Sequence, residues 1–589
     1  LLLLLLLLLL LLLLLLLLYY SYSSTAQAMS VNHVQEICAA GKAQGMGGNF
    51  TEKMTSLGGS GAHVSNMERD FLRDARTRLG VNFQLYMVDS IVRDPVNVTA
   101  AASIGMLLPF EVAHWLFCLN PDKFFELFPT DRIVKLWQRA IVDKEEWFVR
   151  HPLYDVICAA TDLSMFLPIH LFGDDGCLKK ARAMGTVTWF PAVFTPLSAL
   201  HSRIPTYVMA RHHFIKDITE SDLQRVIAWA FQMWMSGVYP SSNHLGVPWP
   251  DKSFRWRLAS GQHRLCGGRT GVYVGTIGDQ AWIAQHFRFS TLWNRIHMCF
   301  RCWAVSSPGA LNFTEKGPFP ERSTDDYLCS ACAAGSPLSG TPGWSLPTVR
   351  GEAMHAGPLG ALPDVAASAL VDQCEAGVYG HDHVTVWQDR LKFQLNDAYT
   401  EFSQFGKAHA QDHSINKFSV AGFSLKTLGS WPFFKGKAHN CLVLARFMER
   451  KLHDHKDDSE LALLTWQVVW AWVEWFDVCS QADPDFLEPE ELKRLDQATA
   501  IMVHGHKRLA NMAALSGKAR WKLRQKVHVM YHINLDAQRS RRNPAAWWSF
   551  KEEEMMGRLA KIACATHGIT LANRTLERWC VQFFNFMED

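Results

Sequence analysis

The chain reads as an α/β protein interrupted by a cysteine-rich insertion and then a long helical one. Three observations predict this. Between residues 156 and 298, short apolar runs rich in β-branched residues alternate with stretches of helical spacing, the pattern of a layered α/β unit. Residues 299–347 hold two Cys-x-x-Cys pairs among many Gly, Pro and Ser. Residues 348–515 then show helical spacing throughout. Hydrophobic residues are 48% of the 589 and charged residues 20%, which excludes a disordered chain. The net charge of +3 excludes a uniformly basic, histone-like protein but leaves room for a local basic face. Fourteen cysteines are too few for a disulfide scaffold, so a reduced compartment fits best.

The elements follow in order. Residues 1–65 comprise eighteen leucines and a stretch rich in Ser, Gly, Ala and Met that reads as disordered. The leucine run has two readings, a low-complexity repeat or a genuine membrane or signal segment, since eighteen apolar residues reach the lower end of a span and Ala26-Gln27-Ala28 imitates a cleavage site. No basic segment precedes it, as a signal peptide would require. Residues 66–155 are expected to be helical: "FLRDARTRLGVNFQLYMVDSIV" spaces its apolar residues by about three and four, and "FPTDRIVKLWQRAI" has a capping Thr or Asp. The run "LSMFLPIHLFG" is too short for a core helix and reads as a buried strand. "GTVTWFPAVF" and "IPTYVMARHHF" read as further strands, and "SDLQRVIAWAFQMWMSGV" as an amphipathic helix. "GVYVGTIGDQAWIAQHF" reads as strand, Gly-Asp turn and helix. In 348–515 the most apolar helix is "LALLTWQVVWAWVEWF"; residues 516–589 are a basic segment followed by a final core helix.

Four constellations could carry chemistry. Asp174 and Asp175 end the first strand in Gly-Asp-Asp-Gly, and Asp279 follows another strand. Each is also an ordinary turn or helix-cap pattern. Glu552, Glu553 and Glu554 open a late helix, where they favour the macrodipole and where at most two can face one site. Two strand acids plus one helix acid is the arrangement that two-metal phosphoryl transfer requires. Cys299 and Cys302 with Cys329 and Cys332 have the spacing of a tetrahedral structural Zn²⁺ site, with His297 and His355 as candidate substitutes. The basic run contains Lys518, Arg520, Lys522, Arg524, Lys526, Arg539, Arg541 and Arg542, interleaved with Trp521, His528, Tyr531 and His532. It suits phosphate contact and base stacking, or else a solvated helix face.

In this order the motifs resemble a family. "PIHLFGDDG", "TIGDQAWIAQHF…CFRC", "GEAMHAGPLGALPDVAASAL", "KVHVMYHI" and "NPAAWWSFKEEEMMG" look like eukaryotic DDE transposases, nearest to the transposase-like proteins of dinoflagellate genomes and distantly similar to CACTA-type elements. The resemblance runs from about residue 107 to about 579. It implies an RNase H-like core with a small zinc-binding insertion and a large α-helical insertion. It implies two Mg²⁺ or Mn²⁺ ions held by Asp175 or Asp174 (Asp175 preferred), Asp279 and Glu553, with Glu552 or Glu554 beside it. Relatives tend to carry Asp-x-Leu-His where Glu352-Ala-Met-His355 stands, so Glu352 would keep a carboxylate on a longer arm. The implied activity is DNA phosphodiester cleavage and strand transfer, in an active, inactive or domesticated copy. DNA is the implied partner, a second copy of the chain another, and the nucleus the implied location. Two other readings stay open: a non-enzymatic zinc-stabilised module binding nucleic acid or protein, and a protein anchored to a membrane through residues 1–18.

Overall fold

The computed structural model describes residues 40, 42–43, 84–93, 98–178, 183–291, 294–306, 312–315, 317, 319–330, 335–455, 458–564, 566 and 570–588. The leucine run, most of the low-complexity stretch, the start of the expected N-terminal helical region, Cys332 and the side chain of Cys329 lie outside these.

Of the region expected to be helical, the first described part is instead a β-hairpin, β1 (Tyr86–Arg93) and β2 (Thr99–Met106), pairing Tyr86 with Met106. Burial explains the correction. Tyr86, Val88 and Ser90 are buried while Met87, Asp89 and Ile91 are exposed, a period of two rather than 3.6. Helices α1 (Pro109–Leu119) and α2 (Thr130–Asp143) follow, with Phe110, Val112, Leu116, Leu136 and Trp137 in the same core as the hairpin.

Five strands form the central sheet: β3 (Phe166–Cys177), β4 (Ala183–Pro191), β5 (Ile204–Ala210), β6 (Thr270–Gly278) and β7 (Val349–Gly351). Their order is β5-β4-β3-β6-β7. The pairs β3–β4 and β4–β5 are antiparallel; β3–β6 and β6–β7 are parallel. Helices α3 (Thr219–Ser236) and α4 (Gln280–His286) cover one face. Trp234 of α3 packs on Gly271, and Trp282 of α4 packs on Gly173.

The helical insertion contains α5 (Leu362–Glu375), α6 (Trp387–Ala408), α7 (Ala438–His455), α8 (Glu460–Gln481) and α9 (Pro489–Leu515). On α8, Ser459 caps the first turn, and Val468, Val469, Trp472, Trp475, Phe476 and Cys479 form one buried stripe. On α9, Pro489 stands at the first turn behind a Glu488–Glu491 capping box. This insertion has its own apolar core. The C-terminal segment divides between the two cores. Val527, Met530, Ile533 and Ala537 of α10 (Lys526–Ser540) belong to the insertion's core. Met555, Met556 and Leu559 of α11 (Phe550–Cys564) and Trp579 of α12 (Leu571–Glu588) belong to the sheet's. Met556 of α11 packs on Gly176, so α11 lies on the face of β3 opposite α4. Among the described residues no helix is long and apolar enough to cross a membrane.

The feature that positions the site is a shared register. Gly173 of β3 pairs with Gly278 of β6, and Gly278 with Gly351 of β7. Each glycine is followed at once by an acid: Asp174, Asp279 and Glu352. Space demands the glycines. A Cβ on Gly173 would fall 1.8 Å from the Trp282 ring, one on Gly278 2.9 Å from the Gly173 carbonyl oxygen, and one on Gly351 2.6 Å from Val529.

Candidate active site

Three parallel strands thus deliver three carboxylates to one edge of the sheet, where open α/β sheets bind their ligands. Helix α11 adds a fourth. Asp174, His355 and Glu553 present ligand atoms that all lie within 4.8 Å of one another. His355 comes from the short helical turn Ala353–Ala356 that follows β7. Glu352 is the N-cap of that turn and accepts hydrogen bonds from the backbone N–H groups of Met354 and His355, each 2.7 Å. A third comes from the Ser549 N–H at 3.3 Å. Its carboxylate also holds His355 Nδ1, leaving Nε2 to face Glu553 Oε1 at 3.4 Å. Asp279 begins α4 without capping it and instead lies 3.4 Å from the Lys526 ammonium.

Electrostatics separates these acids. Burial would raise Glu352, but His355 and the hydrogen bonds outweigh it and hold the carboxyl at about 2. Burial would lower His355, but Glu352, Glu553 and Asp174 raise it well above the usual histidine range. Burial pushes Asp174 up to about 7; His355 opposes this, while Glu553 and Asp279 add repulsion. Crowded oxygen donors of this kind suit a hard divalent cation such as Mg²⁺ or Mn²⁺. The two carboxylates and the imidazole that meet here are groups that could hold such a cation.

Three of the expected acids point elsewhere. Asp175, the one preferred from sequence, lies on the opposite face of β3 because side chains alternate along a strand. It pairs with Arg211 Nε at 3.1 Å. Glu552 is buried against Arg203 at 2.5 Å, and Glu554 pairs with Arg558 one turn on. Of the three helix acids only Glu553 reaches the site.

Most of the basic run is paired with acids or backbone groups of the fold. Residues 518–524 run antiparallel along α5. Lys518 pairs with Glu375 at 2.9 Å, Arg520 with Asp372 at 3.2 Å and with Glu375, and Arg524 with Asp364 at 3.1 Å. Arg539 pairs with Glu321 at 2.7 Å. Arg542 is 1% exposed and donates to the Ala192 carbonyl, and Arg541 caps α10 in the left-handed conformation. Burial raises the Asp364 carboxyl, and Arg524 and Lys522 beside it oppose that rise.

A second cluster joins two of the expected cysteines to two histidines, while Cys332 and the Cys329 side chain lie outside the described residues. Cys299, Cys302, His528 and His532 converge, all buried. Cys299 Sγ is 3.4 Å from His532 Nε2, Cys302 Sγ is 3.2 Å from His528 Nε2, and the two Nε2 atoms are 3.1 Å apart. Zinc bonds of about 2.0 Å to nitrogen and 2.3 Å to sulfur set tetrahedral ligand atoms about 3.3–3.8 Å apart, close to these edges. Backbone N–H groups of Arg301 and Ala304 point at the two sulfurs, at 3.3 and 3.4 Å. Burial would raise the Cys299 thiol, but Cys302 and the imidazoles of His532 and His528 outweigh it and hold it well below its usual value. His528 and His532 stand four apart on α10, one above the other. Their x₃ spacing in "KVHVMYHI" was the available signal, obscured by a gap of 226 residues from Cys302 to His528. His355 belongs to the acidic cluster and His297 is exposed, so neither substitutes here.

Two outcomes follow. Asp174 binds its proton more tightly folded than unfolded, so its ionisation costs stability as pH rises from about 4 to about 7. With no Mg²⁺ or Mn²⁺ added, Asp174→Asn at pH 8 is therefore expected to be more stable than wild type by about 1–2 kcal/mol, with the gain gone at pH 4, as measured by denaturant unfolding. A gain independent of pH would contradict the assignment. Metal analysis is expected to find about one zinc ion per chain. That ion should be lost in His532→Ala and Cys302→Ser and kept in Cys329→Ser. No protein-family model matches this chain, and no curated protein matches it.

Proposed function

We propose that this protein carries out divalent-metal-dependent phosphoryl transfer on DNA, as a transposase-like protein with an RNase H-like core. The observation that carries the reading is the convergence of Asp174, Glu553 and a Glu352-oriented His355 within 4.8 Å, with Asp279 near enough to act on the Asp174 carboxylate, although Asp174 and Glu553 are 379 residues apart. The five-stranded mixed sheet with acids following three adjacent parallel strands supports it, as does the ordered motif resemblance. Bound there, divalent ions would polarise the phosphodiester and activate a water or 3′-hydroxyl. Asp174, Asp279 and Glu553 would hold them.

The chain's own groups have distinct tasks in this scheme. Glu352 fixes the orientation of His355 through Nδ1, so that Nε2 alone is offered to the site. There Nε2 can carry a proton to or from an oxygen of the substrate. Asp175 and Glu552 serve the scaffold through Arg211 and Arg203. A second reading rests on the Cys/His cluster: a zinc-stabilised binding module, whose metal would be structural whether or not the acidic site turns over.

The test is cleavage of plasmid and short duplex DNA with Mg²⁺ or Mn²⁺. Asp174→Asn, Asp279→Asn and Glu553→Gln are expected to lower the rate by at least about 100-fold, and Glu352→Gln by about 10- to 100-fold. Asp175→Asn and Glu554→Gln should leave it near wild type. Cleavage that survives Asp174→Asn would overturn the enzymatic reading and leave the binding module as the better account.

A further inference from the structure

Lys526 is the first residue of α10, and its ammonium is the only cation within 4 Å of Asp279 among the described residues. Its neighbours fix where it can go. The stem runs over Gly360, where an added Cβ would meet Lys526 Cδ at 2.6 Å and Cβ at 3.2 Å. Two residues on, His528 joins the buried Cys/His cluster, and Val529 packs on Gly351 just before Glu352. Helix α10 is therefore held at several points, and the flexible end of Lys526 is left to move. Its side chain is 29% exposed and that of Asp279 is 25% exposed, so the pair is open to solvent and to a ligand.

Charge balance says what happens when the site fills. A divalent cation bound to Asp174 and Asp279 takes over the carboxylate that now neutralises Lys526. The ammonium is then adjacent to the metal and without its partner. The nearest anion is the phosphate that the metal holds. An ammonium is a point donor with three N–H groups and suits a phosphate oxygen without demanding a fixed orientation.

We propose that Lys526 exchanges partners: it occupies Asp279 in the metal-free protein and passes to the substrate phosphate when metal takes Asp279. This rests on the phosphoryl-transfer reading above and adds a positioning residue to it. Lys526 thus opposes metal entry and favours substrate binding, two effects of opposite sign that a merely structural lysine would not produce.

The experiment uses the full zinc-loaded chain. Mn²⁺ binding without DNA is measured by titration calorimetry for wild type, Lys526→Met, Lys526→Arg and Asp174→Asn. Duplex DNA binding in Ca²⁺ is measured over a range of salt. Loss of a partly exposed ion pair to Asp279 should let Lys526→Met bind Mn²⁺ about two- to fivefold tighter. Its DNA binding should weaken, with the slope of log K against log salt reduced by about 0.9, one phosphate contact. Lys526→Arg should retain the wild-type salt slope. Weaker or unchanged Mn²⁺ binding in Lys526→Met, or an unchanged salt slope, overturns the exchange while leaving the metal site standing. Wild type binding Mn²⁺ no better than Asp174→Asn overturns the site reading and the exchange together.

Discussion

The common end of three parallel strands is the constraint on which the rest depends. Gly173, Gly278 and Gly351 lie in one row across β3, β6 and β7 because Trp282, the neighbouring backbone and Val529 leave no room for a side chain. The row fixes where the following residues stand, and those residues are Asp174, Asp279 and Glu352. A slip of one residue in β3 would exchange Asp174 for Asp175 and replace the acid facing α11 with one facing Arg211. Backbone register thus decides which carboxylates meet. Packing on the two faces of the sheet, by Trp282 on one and Met556 on the other, holds that register.

Helix α10 ties the remaining parts to this edge. Its first residue touches Asp279, its fourth packs on Gly351, and its third and seventh complete the Cys/His cluster. Arg301, between the two cysteines, pairs with Asp536 of the same helix at 2.8 Å. The strap just before α10 runs along α5 through three sets of ion pairs. Breaking one partner of such a partly buried pair leaves an uncompensated charge, so these arginines act through orientation more than through net stability. The cysteine-rich insertion, the helical insertion and the acidic edge of the sheet therefore meet on one helix.

Much of this was legible in the chain. The segments read as strands before Gly173 and Gly278 form β3 and β6, because apolar β-branched runs bounded by glycine leave few alternatives. The acidic helix and its separation from the first aspartate were also visible. What was hidden depended on partners distant in sequence. Asp174 rather than Asp175 is set by the face on which α11 packs, which no local pattern records. The histidines of the second cluster sit in a run whose basic residues drew attention to phosphate contact. The arginines of that run looked free because Asp364, Asp372 and Glu375 lie some 150 residues earlier. The hairpin at β1 is hidden in the sequence because its apolar residues also fit a helical spacing, and only their burial separates the two.

The most direct measurement of the central claim is anomalous diffraction from crystals soaked in Mn²⁺. The account predicts density between the carboxylates of Asp174, Asp279 and Glu553, with Lys526 turned away from Asp279. Manganese absent from that edge, with the three acids fully ordered, would contradict it.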